Sequence, residues 1–428
     1  MSKNYNLETL AIHAGSQHNP ITRARAMDIC RSSSFVFNST EQAANLFGLK
    51  ELGNIYSRLT NPTVAALEDR VTALEGGMAS VAVASGTSAI HYTIITIASS
   101  GDEIVTASNL YGGTYTMFDA ILPQLGIKAN FADINNIDTF EKAINDKTKL
   151  IYIETIGNPS LDVADIEAVS KIAKKYHLPL VVDSTFTTPY LLKAIEHGAD
   201  IVINSLTKWY GGHGVSIGGI ITDSGNFDWK KDNKFKLFTE PDNNYHGLRW
   251  AYDLPESLLP IAFALRVRTV PLRNLGACLS PDNAWQIAQG IETLPLRMAR
   301  HSENALQVAK FLKNHNQVAW VRYPGLDDDP SHNIAKKYLK NGFGGMVVFG
   351  VKGGRSAGEK FINSLKLFSH LANVGDAKSL ALHPASTSHS QMSDTQQIEA
   401  GLPPELIRLS IGLEHIDDII NDINQALG

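Results

Sequence analysis

Cysteine is almost missing from these 428 residues: there are two, Cys30 and Cys278, far apart along the chain. They form neither a C-x-x-C motif nor a disulfide framework, so a reducing compartment is the expected setting. Long apolar runs are missing as well. No run reaches the roughly 18 apolar residues that a membrane-spanning helix needs, and the opening MSKNYNLETL holds no apolar stretch of signal-peptide length. A cytoplasmic protein is expected. Charge of one sign is not in excess either: 38 Lys and Arg stand against 43 Asp and Glu, a net charge of −5. With no clustered basic footprint, neither nucleic acid nor a membrane surface is an expected partner. Finally, no G-x-G-x-x-G joins the first strand to its helix, which removes the nicotinamide dehydrogenases among α/β enzymes.

What is present is ordinary globular composition, 43% hydrophobic and 19% charged. The length suits roughly two to three domains of about 150 residues each. The first 62 residues lack periodicity, broken by Pro20, the Ser32–Ser34 cluster, Gly53 and Pro62. Such a segment cannot build its own core and is expected to wrap a neighbour. From residue 63 the pattern becomes regular, with a helix over 63–74 closed by Gly76 and Gly77. Short runs rich in β-branched residues at 80–85, 103–107, 150–154, 180–183, 201–204 and 219–222 then predict strands. Helical patterns at 89–98, 114–122, 137–145, 166–176 and 191–197 lie between most of them. This alternation is the mark of an α/β fold on a mainly parallel sheet, and the continuous apolar strands suit a sheet covered on both faces. Residues 223–252 lose the pattern and read as a long loop or insertion, a candidate cover for a site. Helices at 283–291 and 301–314 follow, then a smaller α+β unit with strands near 318–321, 345–350 and 406–411 and a last helix over 417–426. The expected division is an arm at 1–62, a large domain at 63–290 and a small domain at 291–428.

Five local features carry chemistry. Ser85-Gly86-Thr87-Ser88 follows a strand and opens a helix, where free N–H groups and the positive dipole end suit a phosphate; the same residues also suit an ordinary helix cap. Asp183 ends an apolar strand, where α/β folds place ligands, although aspartates also cap strand ends. Lys208 lies in Ser205-Leu206-Thr207-Lys208, between an apolar strand and the turn Gly211-Gly212, a setting that lowers a lysine's charge and suits imine formation. Tyr111, before Gly112 and Gly113, is placed to stack on a flat ring or simply to pack in its loop. Arg408, on a small-domain strand, suits a substrate carboxylate or a surface ion pair. In chain order the five are a phosphate turn, an aromatic ring, an acid, a lysine and an arginine, the parts of a pyridoxal 5'-phosphate (PLP) site.

The stretch from Ser205 through Lys208 to Gly211-Gly212-His213 resembles the PLP-lysine signature of the Cys/Met-metabolism PLP-dependent enzymes. Similar stretches run along the chain: Ala11-Ile12-His13-Ala14-Gly15, Tyr56-Ser57-Arg58, Leu74-Glu75-Gly76-Gly77, Asn158-Pro159, His383-Pro384-Ala385-Ser386-Thr387 and Arg408-Leu409-Ser410-Ile411-Gly412. The resemblance implies an aspartate-aminotransferase-like (type I) fold and a set of roles. Lys208 would carry PLP as a Schiff base and move protons. Gly86, Thr87, Ser205 and Thr207 would hold the phosphate, with Tyr56 and Arg58 reaching a neighbouring subunit's cofactor. Tyr111 would stack on the ring and act as an acid or base, Asn158 touch the ring hydroxyl and Asp183 pair with the ring nitrogen, so that Lys208, Tyr111 and Asp183 would be the catalytic residues. Asn373 and Arg408 would grip the substrate carboxylate. The insertion, with Asn226-Phe227-Asp228-Trp229 and Tyr245-His246-Gly247, and the run from Asn373 to Leu380 imply the branch that replaces an acyl group at Cγ of homoserine with sulfide. The family's γ-lyases and a succinyl leaving group are the alternatives. Gly113, where lyases of the family carry cysteine, points to replacement. A homo-oligomer, a dimer of dimers, is implied. One stretch departs from the family: Met27-Asp28-Ile29-Cys30-Arg31 brings charges into the arm, where its relatives are less polar.

Overall fold

The computed structural model describes residues 5–387 and 401–428. Its regular part starts with the helix Pro62–Glu75. Asn61 caps it, accepting from the N–H groups of Thr63 and Val64, and Pro62 at the first turn needs no donor. Gly76, at φ 78°, ends it in the left-handed conformation. Leu67, Val71 and Leu74 have no exposed surface and seat this helix on the core.

Seven strands form the large sheet: β1 (Ala79–Val83), β2 (Glu103–Ala107), β3 (Lys128–Ala132), β4 (Thr148–Glu154), β5 (Leu180–Asp183), β6 (Ile201–Asn204) and β7 (Gly219–Asp223). Their order is β1-β7-β6-β5-β4-β2-β3. The strands from β3 across to β6 pair in parallel, and β7 runs antiparallel to both β6 and β1. Sequence alternation anticipates all of these except β3. That strand lies at the sheet edge and is exposed to half-buried over most of its length, so it lacks a continuous apolar run. Two predicted helices are broken. The 114–122 pattern becomes a short helix Gly112–Thr116, a wider π turn Met117–Ile121 and a tight turn Leu122–Leu125 containing Pro123. The 191–197 pattern divides into Thr188–Leu191 and Ala194–His197.

The helices Pro281–Glu292 and Leu294–Lys313 lead to a second sheet. Its strands are β8 (Val318–Arg322), β9 (Met346–Val351), β10 (Ser369–His370), β11 (Leu380–Leu382) and β12 (Leu406–Ser410), in the order β10-β11-β12-β9-β8. On β12, Ile407 and Leu409 are fully buried in a core shared with Ile419 and Ile423 of the final helix Ile416–Leu427. Period-two alternation turns Arg408, between them, to the other face.

The arm holds two short helices, Leu7–His13 and Thr40–Phe47. Arg70 anchors it from the core, donating to the Ala14 and Ala288 carbonyls at 2.9 Å each. The charged departure at residues 27–31 is accommodated at the surface. Arg31 pairs with Asp282 at 2.5 Å, Asp28 accepts from Asn19 at 2.6 Å, and the Cys30 N–H donates to Thr63 Oγ1.

The insertion is not a cover over the site within its own chain. Asp223, where it begins, pairs with Ile201, the first residue of β6, so it leaves the sheet at the edge opposite the loop that carries Lys208. Nor is it a loose loop. Trp229 stacks on Phe238 with ring centroids 4.0 Å apart and lies parallel to Phe263 at 5.8 Å. Trp250 is fully buried and donates to Asp242, which also pairs with Arg266 at 3.3 Å. Trp229→Ala should therefore cost about 3–5 kcal/mol, read as a lower urea midpoint, while the Lys208 loop is undisturbed. A midpoint equal to wild type would mean that the cluster is not core.

Candidate active site

Parallel register lines up the strand ends. Glu154 of β4 stands opposite Asp183 of β5, and Asp183 opposite Ile203 of β6. The chain then turns from β6 into Ser205-Leu206-Thr207-Lys208. Because β7 reverses direction between them, β1 and β6 point the same way, and the turn Ser85-Gly86 reaches the same edge. It meets the lysine loop closely: a Cβ on Gly86 would lie 2.7 Å from Ser205 Cβ. Ser85 caps the helix Gly86–Ile97 through the Ser88 N–H, and the N–H groups of Gly86 and Thr87 precede the helix's own hydrogen-bond ladder. Ser205 N–H donates to Thr185 Oγ1 at 2.9 Å, and Thr207 Oγ1 accepts from Gly218 N–H at 3.1 Å.

Lys208 Nζ donates to Asn373 Oδ1 at 2.5 Å. Burial, and then the charge of Arg408, lower its pKa to about 8. Arg408 donates to Asn158 Oδ1 at 3.2 Å and to the Asn373 carbonyl at 3.4 Å. Its own pKa falls to about 10 through burial, opposed by Tyr111. Among the described residues neither cation makes a salt bridge. The structure thus brings Lys208, Asn373, Arg408 and Asn158 together, with two cations and only amides between them.

Asp183 Oδ1 accepts from Thr185 N–H at 2.9 Å and Oδ2 from the Tyr152 hydroxyl at 3.2 Å. Burial raises its pKa. Sequence reading misses its neighbour Glu154, which is buried and whose pKa is raised well above the usual range by burial and by Asp183. Glu154 Oε1 accepts from the Tyr111 N–H at 2.7 Å. The signal was available: Glu154 closes an apolar strand just as Asp183 does. The Tyr111 ring, half exposed, folds over Gly113, where a Cβ would stand 2.6 Å from Cε1. Glycine at 113 is what this ring position requires.

Tyr56 and Arg58 stay apart from this cluster. The Arg58 guanidinium lies 4.9 Å from the Tyr56 ring centre, and its buried Nε has no hydrogen-bond partner among the described residues. No hydrogen bond or ion pair links either residue to Lys208 or Arg408 within the chain.

These residues fit PLP. A glycine cradle at a helix N-terminus suits the phosphate, a lysine with a lowered pKa suits the aldehyde, and a buried acid suits a cationic ring nitrogen. Together with the seven-stranded, mainly parallel sheet they define a PLP-dependent enzyme of type I fold. The chain belongs to the Cys/Met metabolism PLP-dependent enzymes, whose family description matches residues 8–428. It is 54% identical to an O-acetyl-L-homoserine sulfhydrylase of Leptospira meyeri over 100% of this chain and 98% of that one. It is 48% identical to the homocysteine synthase of Schizosaccharomyces pombe over 98% of this chain and 97% of the relative. Among solved structures it is similar to a Campylobacter jejuni protein described as an O-acetylhomoserine (thiol)-lyase. The TM-score is 0.94 at 41% identity, covering 99% of this chain and 100% of the other. That structure carries a pyridoxyl-lysine monophosphate residue.

The depressed Lys208 pKa gives a pH prediction. The amine loses its proton as pH rises through about 8 rather than through the usual lysine value near 10.4. Chromophore formation, when PLP is added to cofactor-free protein, should rise with a midpoint near pH 8. Borohydride reduction and peptide mapping should place the tag on Lys208. A midpoint near 10.4, or a tag on another lysine, would contradict the assignment.

Proposed function

We propose that this enzyme replaces the acetyl group of O-acetyl-L-homoserine with sulfide. The C–O bond at Cγ breaks, a C–S bond forms there, and the products are L-homocysteine and acetate. The observation that carries the reading is the pair Lys208 and Arg408, bridged by Asn373 and lacking any carboxylate partner among the described residues. An α-amino acid brings an amine for the first position and a carboxylate for the second. The names of the relatives support acetylhomoserine as that amino acid and sulfide as the partner. They do not favour a γ-lyase or a succinyl donor.

PLP, when bound, supplies an electron sink that acidifies the substrate's Cα and Cβ protons and permits departure from Cγ. The chain's residues do the rest. Lys208 would hold the cofactor and move protons at the substrate carbons. Asp183 would support a positive charge at the ring nitrogen. Tyr111, its backbone fixed by Glu154, would stack on the ring. Gly86, Thr87, Ser205 and Thr207 would hold the phosphate, and Asn158 would contact the ring hydroxyl. Arg408, steadied by Asn158 and Asn373, orients the carboxylate. Tyr56 and Arg58 act on the phosphate of a neighbouring subunit in a homo-oligomer, a dimer of dimers. Support for this comes from the unpartnered Arg58 Nε and from exposed apolar residues of the arm, Val36 and Leu52 among them. The free state of Cys30 and Cys278 supports a cytoplasmic setting, and among the described residues no helix is long and apolar enough to cross a membrane.

Two experiments test this. With O-acetylhomoserine and sulfide, homocysteine should form faster than 2-oxobutanoate forms from methionine; the opposite order would replace the sulfhydrylase reading with a γ-lyase. Mixing Arg58→Ala protein with Lys208→Ala protein should restore part of the activity through hybrid dimers. No recovery after verified subunit exchange would remove the shared site.

A further inference from the structure

Glu75, the last residue of the helix Pro62–Glu75, has no exposed surface. It belongs to the Leu74-Glu75-Gly76-Gly77 stretch that the reaction leaves unused. A fully buried carboxylate is costly unless hydrogen bonds compensate, and burial pushes its pKa up to about 7. Its bonds converge on one atom. Oε1 accepts from Asn204 Nδ2 at 2.7 Å and from the Tyr210 hydroxyl at 2.7 Å. Oε2 has no partner, and among the described residues no cation forms a salt bridge with this carboxylate.

The two donors bracket the cofactor lysine. Asn204 is the last residue of β6, and Tyr210 lies two residues beyond Lys208. A single oxygen therefore ties both ends of the segment that carries Ser205, Thr207 and Lys208. Arg297 holds the same segment by its backbone, donating to the Trp209 carbonyl at 2.7 Å and the Tyr210 carbonyl at 3.0 Å. Arg297 acts on carbonyls after the lysine, whereas Glu75 spans it with its side chain, outside the backbone bond from Gly211 N–H to the Leu206 carbonyl at 3.0 Å.

We propose that Glu75 is a positioning residue for the reaction: its Oε1 closes the 204–210 loop and fixes the direction in which Lys208 is presented to the substrate's reacting carbons. The inference rests on Lys208 being the cofactor lysine. It predicts that loss of the oxygen slows every step in which Lys208 exchanges with an amine or moves a proton, and leaves substrate binding at Arg408 alone.

The test compares wild-type holoenzyme with Glu75→Ala, Glu75→Gln and Tyr210→Phe. Glutamine keeps a carbonyl oxygen able to accept both bonds. Stopped-flow absorbance gives the rate at which added glycine displaces Lys208 from the chromophore, and steady-state assays give kcat and KM. For Glu75→Ala, displacement and kcat should fall about 10- to 100-fold with KM changed by less than about threefold. Glu75→Gln should recover most of the loss, and Tyr210→Phe should show a smaller loss of the same kind. The proposal is overturned if folded Glu75→Ala keeps wild-type displacement and kcat, or if Glu75→Gln is no better than Glu75→Ala. Should Glu75→Ala fail to fold, Tyr210→Phe decides: slowed displacement with KM kept supports the proposal, and wild-type rates overturn it. The glycine readout needs no sulfide chemistry. A wild-type protein with its chromophore on Lys208 that makes no homocysteine would sink the proposed reaction and still allow Glu75 to be judged.

Discussion

Two like charges held near each other, with only amide groups between them, set the terms for this molecule. Lys208 and Arg408 come from different sheets, and each donates to Asn373, the first to its side chain and the second to its backbone. Burial and mutual repulsion depress the lysine's pKa to about 8. Buried charges are ordinarily paired, yet among the described residues neither cation has a carboxylate partner. In the proposed reaction that would leave the amine open for chemistry and the guanidinium open for an anion.

The large sheet supplies the counterpart on the other side. Parallel register places Asp183 beside Glu154; burial raises the pKa of both, and the Asp183 charge raises that of Glu154 further. In the proposed site a cationic ring nitrogen would compensate that burial. Glu154 also accepts from the Tyr111 backbone N–H, which ties the acid pair to the Tyr111 loop. At Gly113 the absence of a side chain is itself a positional requirement, since the Tyr111 ring occupies the space where a Cβ would stand.

Much of this was legible in the sequence because the central strands are buried on both faces and read as apolar runs. All six strands predicted in the large domain begin and end within two residues of the observed ones, the largest offsets being the end of β1 and the start of β4. What failed has physical reasons. β3 is an edge strand without a continuous apolar run. The helix after Tyr111 widens into a π turn that periodicity does not register. The insertion showed no period because its order comes from rings stacking across short turns, Trp229 on Phe238 above all, and the antiparallel β7 sends it to the far edge of the sheet. Lys208, Asp183 and Arg408 were visible from their strand-end or strand positions, and the geometry brings Lys208 and Arg408 to one amide bridge. Glu154 was passed over although it closes an apolar strand just as Asp183 does, and the part played by Glu75 shows only in its contacts with Asn204 and Tyr210. Tyr56 and Arg58 lie apart from the Lys208 cluster, and the proposal of a site shared between subunits is what gives them a role.

The central claim is that Arg408 is a charge kept for a ligand and not for the fold. Its most direct test is the thermal midpoint of Arg408→Met holoenzyme without substrate. An arginine that has, among the described residues, no carboxylate partner and only two long hydrogen bonds, at 3.2 and 3.4 Å, stabilises little. The account predicts a midpoint equal to or above wild type. A midpoint several degrees below wild type would contradict it, because Arg408 would then be part of what holds the fold together.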